Sequence, residues 1–347
     1  MKVFGKILSY QVFLVLGLGV LVQGCNENVV LEMKPISIDG SSTVFPITEL
    51  ITNTFNEQNE QDITVQVGFS GSVGGFRKFC AGETDINNSS VPIPSEAMAE
   101  CRKNGVAYIE LPVAFDALTV VVNPRNNWLT SMTVDELKQV WQPAAENQLT
   151  RWNQVNGQYP NSPLNLFAPG RDSGTFEYFT EAIVGESKAS RNDYVFSEDD
   201  DALVNGVAQD TNALGYFGYA YYEQNQDKLK AVAIDSGDGA ILPSNQTIID
   251  GTYRPLTRPL FIYVNAKKAQ ENPAVQKFVE FYMKSASELV AQVGYLPLPE
   301  SAYDVGLIHF NTHRVGTVFN GKAVINASID ELLSKSYARD GEEGYVF

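Results

Sequence analysis

The chain has 347 residues, of which 44% are hydrophobic and 11% aromatic. This composition excludes intrinsic disorder, collagen-like repeats and a long coiled coil, and the length is sufficient for two hydrophobic cores. Acidic residues number 41 against 25 basic ones, and the formal net charge is −16. Because contact with a phosphate backbone requires clustered Lys and Arg, this charge argues against a nucleic-acid partner.

The N-terminal residues 1–24 have the pattern of an export signal. Two lysines precede an apolar run at 7–22, as in a secretory signal peptide. Cys25 directly follows Gly24, an arrangement that resembles a bacterial lipobox, in which the cysteine is lipidated and becomes the mature N-terminus. The alternatives are a plain secretory signal or an uncleaved anchor. Residues 25–32 show no periodicity, and we expect them to be a tether between the lipid and the first domain.

The three cysteines of the chain fit an exported protein. Lipidation of Cys25 would leave Cys80 and Cys101, an even number in an oxidising compartment. We therefore expect a disulfide between these two residues. Two buried free thiols are the alternative, because the sequence alone does not show that the Cα atoms lie within bonding distance.

Strand-like and helix-like segments alternate along the rest of the chain, which predicts an α/β fold with mainly parallel sheets. Thr133 to Glu136 fits a capping box at a helix start, and Asn272-Pro273 places a cap residue and a first-turn proline ahead of a helix reaching about residue 285. Further segments are expected as strands at 36–38, 63–67, 85–86, 106–111 and 117–122, and as helices at 46–59 and 76–80.

The chain is long enough for two lobes but contains no long Pro- or Ser-rich linker. We therefore expect the lobes to be joined by two apolar crossing strands, at 118–123 and 253–265. The resulting lobe I is discontinuous, comprising 33–117 plus 258–347, and lobe II comprises 118–257. Since ligands of open α/β sheets bind at the carboxyl ends of strands, a cleft between the lobes is the expected site.

Three short turns, each between a strand-like and a helix-like segment, are rich in Gly, Ser and Thr. Their sequences are GSSTVFP at 40–46, SGSVGG at 70–75 and GRDSGT at 170–175. Free N–H groups at helix starts and neighbouring hydroxyls favour anions, and Arg171 adds a guanidinium suited to bidentate contact with an oxyanion. Each turn taken alone has the alternative of an ordinary N-cap. None has the spacing of a nucleotide-binding loop.

Taken together with GETDI at 82–86, LTVVVN at 118–123, ALGYFGYAYY at 213–222 and YRPLTRPLFIYVN at 253–265, these turns resemble one known family. The chain is similar, over nearly its whole mature length, to the phosphate-binding proteins of phosphate ABC transporters (PstS), and within them to the lipid-anchored, cyanobacterial-type branch. This resemblance implies a type II periplasmic-binding-protein fold, two α/β lobes joined by two hinge strands, that closes around one dehydrated phosphate and delivers it to a membrane permease.

The resemblance also implies a set of phosphate-binding residues. Transferred to this sequence, they are Ser42, Thr43, Val44 and Phe45 in the first turn, Ser72 in the second, and Arg171, Ser173, Gly174 and Thr175 in the third. Asp172 is the acidic neighbour expected to orient Arg171. The third turn departs from the family pattern, because some members have two more residues between the Arg and the Ser.

A second departure concerns the group that accepts the proton of the bound phosphate. Well-known family members have an aspartate where this chain has Ser90, and serine can both donate and accept a hydrogen bond. Asp116 is an alternative acceptor, and an acid in a local turn at the start of a strand is the other interpretation of this residue. An acceptor of this kind would discriminate against sulfate, which has no proton to offer at neutral pH.

Parts of the sequence are compatible with other functions. Asp172-Ser173-Gly174 is similar to one class of serine hydrolase, but the chain has only two histidines, His309 and His313, both far downstream. Their i, i+4 spacing suits zinc if they are helical, yet no third ligand is evident. A receptor of the same fold for sulfate or molybdate, or a phosphate sensor, remains open. We expect a monomeric phosphate carrier with no enzymatic activity, no cofactor and no metal, held to the membrane by its lipid alone and located in the periplasm.

Overall fold

The computed structural model describes Gly5, residues 35–58, residues 63–322 and Ile325. The predicted tether, Cys25 and all of the predicted signal peptide except Gly5 lie outside the described residues. Among the residues that are described, no helix is long and apolar enough to cross a membrane.

Strands and helices alternate along the described chain. The strands are β1 (Ile36–Gly40), β2 (Val65–Val67), β3 (Ile86–Ser89), β4 (Tyr108–Val122), β5 (Ser131–Thr133), β6 (Asn165–Pro169), β7 (Val195–Ser197), β8 (Ala213–Gly218), β9 (Lys230–Ala231), β10 (Ala233–Asp235), β11 (Ala240–Ile241) and β12 (Thr257–Asn265). The helices are α1 (Phe45–Gln58), α2 (Ser72–Cys80), α3 (Ser95–Lys103), α4 (Val134–Trp141), α5 (Trp152–Val155), α6 (Gly174–Phe179), α7 (Asp200–Gln209), α8 (Tyr219–Glu223), α9 (Asn245–Ile249), α10 (Ala266–Glu271), α11 (Pro273–Gln292) and α12 (Glu300–Asn311).

Most of the strands join one large mixed sheet, in the order β2-β1-β3-β12-β4-β8-β6-β7, with β9 added to β4. A smaller sheet has the order β11-β10-β5. The pairs β1–β2, β1–β3, β6–β7 and β6–β8 are parallel, whereas β12 and β4 run antiparallel to each other and to their outer neighbours β3 and β8. The prediction of mainly parallel sheets is therefore wrong, because the two central strands, β12 and β4, are each antiparallel to the strands on both sides.

Strand β4 links the two halves of the large sheet by changing its partner. Its residues Tyr108 to Ala117 pair with β12, and its residues Leu118 to Val122 pair with β8. Every residue of β4 and β12 is buried, which explains why these segments have nearly continuous apolar runs. The described residues from 35 onward form one compact unit.

Local signals in the sequence locate several helices closely. Thr133 caps α4 in the predicted capping box with Glu136, and α1 lies one residue before its predicted range. Helix α11 starts at Pro273 as predicted but continues to Gln292 rather than ending near residue 285. The reason is that its buried face continues through Ala286, Leu289 and Val290, so packing extends the helix almost to Gly294, whose φ is +82°.

Candidate anion-binding site

The three Gly/Ser/Thr turns each follow the carboxyl end of a strand and lead into a helix. The turn at 40–46 connects β1 to α1, the turn at 70–75 follows β2 and opens α2, and the turn at 170–175 connects β6 to α6. Strand ends of this kind are where α/β sheets bind ligands. Contacts between the turns show that all three meet at one buried place.

The first and third turns meet through their threonines. Thr43 Oγ1 lies 3.1 Å from Thr175 Oγ1, and both residues are fully buried. In the first turn the N–H groups of Thr43 and Val44 have no acceptor among the described residues, so they are available to a ligand. The Phe45 N–H, in contrast, donates to the Ser41 carbonyl at 3.0 Å.

The Ser42 hydroxyl points elsewhere. Its Oγ donates to Asp200 Oδ2 at 2.8 Å, and its carbonyl accepts a hydrogen bond from the Tyr221 hydroxyl at 3.0 Å. Of the two adjacent hydroxyl residues of the first turn, Thr43 therefore joins the cluster with Thr175, and Ser42 ties this turn to α7 and α8.

The second and third turns meet through backbone as well as hydroxyl groups. The Val73 N–H donates to the Asp172 carbonyl at 2.9 Å. Ser72 Oγ lies 3.2 Å from Ser90 Oγ and accepts from the Ser90 N–H at 3.1 Å. A Cβ atom on Gly174 would lie 2.4 Å from Ser72 Oγ and 2.7 Å from Ser90 Oγ, so only glycine allows these turns to approach so closely.

A buried arginine, Arg258, lies against this cluster. Its Nη2 donates to Thr175 Oγ1 at 2.9 Å and to Thr43 Oγ1 at 3.2 Å. Both Nε and Nη2 also contact Asp116 Oδ2, at 3.2 and 3.0 Å. Arg258 and Asp116 are fully buried and face each other in register on β12 and β4. The structure thus joins two hydroxyl-bearing turns and one guanidinium at the junction of the sheet halves.

Two buried carboxylates shape the electrostatics of this region. Burial raises the pKa of Asp116, and the guanidinium of Arg258 acts against that shift. Burial likewise raises the pKa of Asp200 to about 7, with the Ser42 hydroxyl acting in the opposite direction. Near neutral pH, Asp200 is therefore partly protonated and adds less negative charge to the region than an ordinary aspartate would.

Arg171 lies outside the cluster. Its side chain is exposed, contacts Asn192 Oδ1 and lies 5.6 Å from the centroid of the Phe176 ring. Arg171 occupies the first corner of a turn closed by the Ser173 N–H and the Gly170 carbonyl at 3.1 Å, and its side chain is exposed to solvent there.

Asp172 does not orient Arg171 as expected from the resemblance. Both of its carboxylate oxygens contact the guanidinium of Arg77 on α2 instead. This pair holds the pKa of Asp172 below its ordinary value. Asp172 thus links the third turn to α2, and the predicted orienting role is corrected here.

Comparison with known proteins agrees with this geometry. A family model described as a PBP superfamily domain matches residues 29–286. A phosphate-binding protein PstS of Staphylococcus saprophyticus is 37% identical over 268 residues, which cover 76% of this chain and 81% of that protein. The chain belongs to the PstS family. Protein SphX of Synechocystis sp. is 56% identical over 302 residues, covering 87% of this chain and 90% of that protein.

One solved structure extends the PstS likeness to the fold. A possible phosphate binding protein from Planctomyces limnophilus is 40% identical, has a TM-score of 0.59, and is matched over 80% of this chain and 98% of its own. The predicted PstS family and type II periplasmic-binding-protein fold are thus confirmed. Because this family consists of solute-binding proteins, the serine hydrolase alternative is not supported.

The sequence of this PstS-family chain does not by itself identify Arg258 as a site residue. Only its position, a charged residue inside the otherwise apolar strand of YRPLTRPLFIYVN, signals a special role, because Arg is almost never buried without partners. Asp200 was missed for another reason. It lies in the acidic run at 198–201, which has the composition of an exposed helix start.

The remaining predicted residues lie apart from the anion site. Cys80 and Cys101 form a disulfide that joins the end of α2 to α3. His309 is buried near the end of α12 and contacts Arg314, whereas His313 lies beyond the end of that helix. The two histidines therefore do not share one helical face. No group of three or more metal-ligating side chains occurs in the described part of the chain.

Proposed function

We propose that this protein binds inorganic phosphate between its three turns and delivers it to the membrane permease of an ABC transporter. The observation that carries this proposal is a buried hydroxyl cluster built from distant parts of the sequence. The Thr43–Thr175 pair lies beside a guanidinium, and the Ser72–Ser90 pair lies next to it, against Gly174. The PstS relatives are named as phosphate-binding proteins, which supports the same ligand here.

A dehydrated phosphate needs a full set of donors, because an ion that leaves water loses a large hydration energy. The proposed donors are the N–H groups of Thr43 and Val44 and the hydroxyls of Thr43, Ser72 and Thr175, together with Ser90, Ser173 and Gly174 around them. These groups are fixed by the contacts between turns, so little ordering is required when the ion binds. The net negative charge of the protein does not prevent binding, since surface charges beyond about 8–10 Å are screened.

Asp116 is proposed as the acceptor of the phosphate proton. Its Oδ1 atom is buried and accepts no protein hydrogen bond of good geometry among the described residues, although the backbone N–H groups of Ala117 and Tyr219 lie near the carboxylate. Hydrogen phosphate can donate its proton to this atom, whereas sulfate has none to donate and would leave a buried carboxylate oxygen unpaired.

The lobe boundaries predicted from the sequence, 33–117 plus 258–347 and 118–257, form part of this proposal. They are supported by the change of partner in β4 between Ala117 and Leu118. The turn at 40–46 and α2 then belong to lobe I, and the turn at 170–175 belongs to lobe II. Phosphate would bind where these elements meet, and the two lobes would separate to release it.

The proposed location is the periplasm, with the mature monomer held to the membrane by a lipid on Cys25. The pattern of residues 1–25 supports this location, since export and lipidation would place the binding protein beside its permease.

Calorimetric titration of the purified, ligand-stripped protein with phosphate, arsenate and sulfate tests the ligand. We expect phosphate and arsenate to bind with similar affinity, because both carry a proton at neutral pH. Sulfate should bind at least about tenfold more weakly, since an unpaired buried acceptor costs about 1–3 kcal/mol. Absence of phosphate binding, or tighter binding of sulfate, would contradict the proposal and favour a receptor for another oxyanion.

A further inference from the structure

We propose that Arg258, and not an arginine of the turns, supplies the guanidinium that binds the anion, and that Asp116 is the residue that positions it. The proposal rests on the proposed phosphate-binding function and names the residue that provides its positive charge. It follows from the hydrogen bonds of Arg258, from its place on β12 and from comparison with two other arginines.

The hydrogen bonds of Arg258 leave one end of its guanidinium unused. Nε contacts Asp116, and Nη2 contacts Asp116, Thr43 and Thr175. Nη1 is buried and has no acceptor among the described residues. A guanidinium has five N–H donors, and leaving two of them unpaired away from water is costly. An anionic oxygen is the acceptor that this end lacks.

The threonines beside Arg258 are arranged to donate to the same anion. When Thr43 and Thr175 accept hydrogen bonds from Nη2, each hydroxyl still has its own proton to donate. One of the two hydroxyls can donate its proton to the other, 3.1 Å away. The proton of that other hydroxyl then remains available to the anion. The guanidinium thus orders hydroxyls from two different turns toward a single ligand, which a neutral side chain at position 258 would not do.

Arg191 shows what a buried arginine with a purely structural role looks like in this protein. It is 2% exposed, as deeply buried as a core residue. Its Nε and Nη2 contact Asp193, and its Nη1 donates to the carbonyls of Val140 and Leu149 at 3.1 and 3.0 Å. Every nitrogen of this guanidinium has a protein acceptor, in contrast to Arg258.

The position of Arg258 on β12 makes it a rigid ligand group. Its partner Asp116 lies directly opposite on β4, and both strands are buried along their whole length. These strands lie where the two halves of the large sheet meet. A guanidinium fixed there can bind the anion without the ordering cost that an exposed turn arginine such as Arg171 would incur.

The test compares phosphate titrations of the unmodified protein, Arg258→Gln, Arg258→Lys and the matched control Arg171→Gln. We expect Arg258→Gln to weaken phosphate binding at least about hundredfold, because charged hydrogen bonds are lost. Arg258→Lys should retain part of the affinity, since it keeps the charge but loses the planar fork. Arg171→Gln should change the affinity less than about threefold, because the Arg171 side chain is exposed and lies outside the hydroxyl cluster. Normal affinity in folded Arg258→Gln, or a large loss in Arg171→Gln alone, would overturn the proposal.

Removal of Arg258 alone leaves the Asp116 carboxylate buried without a cation and can prevent folding. The double variant Arg258→Gln/Asp116→Asn is neutral at both positions and removes that difficulty. If it folds, it must bind phosphate at least about hundredfold more weakly than the unmodified protein.

A crystal structure of the unmodified protein with phosphate decides the question independently of folding. We expect Nη1 within hydrogen-bond distance of a phosphate oxygen, and a phosphate bound away from this guanidinium would refute the proposal.

The proton-accepting role proposed for Asp116 has its own readout, separate from its positioning of Arg258. Asp116→Asn keeps an oxygen that can accept from Arg258 but cannot accept the phosphate proton as a carboxylate does. We expect the ratio of phosphate to sulfate affinity to fall, whereas damage that is only structural would weaken the binding of both anions alike.

If the unmodified protein fails to bind phosphate, the proposed function fails. If it binds phosphate and the Arg258 variants do so equally well, only the present inference fails.

Discussion

Gly174 is the residue at which the third turn comes closest to the second. A Cβ atom at this position would lie 2.4 Å from Ser72 Oγ, a distance that real Cβ contacts essentially never show. Ser72 is held at the start of α2, and its hydroxyl is bonded to the Ser90 N–H. The serine therefore has little freedom to move aside, and a side chain at position 174 would keep the turns apart.

The variant Gly174→Ala should therefore lose phosphate binding by at least about tenfold without a comparable loss of stability, since the proposed lobes can stay separated. Small-angle scattering should show contraction of the unmodified protein with phosphate and none of the variant. Gly157→Ala is the matched control, because a Cβ at Gly157 would meet no atom within 4 Å. A Gly174→Ala protein that binds phosphate and contracts normally would contradict this role of Gly174.

Single residues also show where sequence reasoning reached its limit. Local Gly/Ser/Thr patterns predict the turns that contain Thr43 and Thr175, and the family resemblance implies these two residues as ligand groups. The structure places their hydroxyl oxygens 3.1 Å apart. The same patterns predict Arg171 as the cation because it lies in one of them. They do not predict Arg258, because its partner Asp116 is 142 positions away in the chain, and no local pattern connects them.

Among the elements, α2 links the disulfide to the anion site. The helix begins at Ser72, which belongs to the hydroxyl cluster, and ends at Cys80, which is bonded to Cys101 on α3. Both ends of a short helix are thus fixed, one by hydrogen bonds and the other by a covalent link. We expect the disulfide to contribute to stability more than to phosphate affinity.

The variant Cys80→Ala/Cys101→Ala should lower the free energy of unfolding by about 3 kcal/mol, as the chain-entropy model predicts for a loop of about this length; the two cysteines are 21 positions apart. Its phosphate affinity should change little, because the hydrogen bond between Ser72 and Ser90 and the hydrogen bond between Val73 and Asp172 both remain. Chemical denaturation with and without a reductant measures the effect. On reduction, the unmodified protein should lose about 3 kcal/mol of stability, whereas the stability of the variant should not change. If reduction does not change the stability of the unmodified protein, the prediction is contradicted.

At the scale of the whole molecule, the N-terminal pattern predicts where the protein works. Mass spectrometry of the protein expressed in a bacterial host should find Cys25 as an acylated N-terminal residue. Cys25→Ser is the control and should be recovered without the lipid mass. An unmodified N-terminus at any other residue would contradict lipidation and favour a plain secretory signal.

The whole molecule also shows why the sheet differed from expectation. Alternating strands and helices predicted an α/β fold, which is correct, and mainly parallel sheets, which is not. Alternation indicates that helices cover the strands but does not give the direction in which a strand re-enters the sheet. Direction depends on which strands become neighbours, and β4 and β12 are separated by more than a hundred residues.

By itself, the sequence determined the family, the α/β class and the turns that carry hydroxyl and N–H donors, because these depend on short patterns and on helix starts. Tertiary structure alone decided which cation faces those donors. Register between β12 and β4 sets Arg258 opposite Asp116, whereas the Arg171 side chain is exposed and contacts Asn192. The pairing of β12 with β4 depends on distant segments packing together, and local propensity contains no information about such pairings.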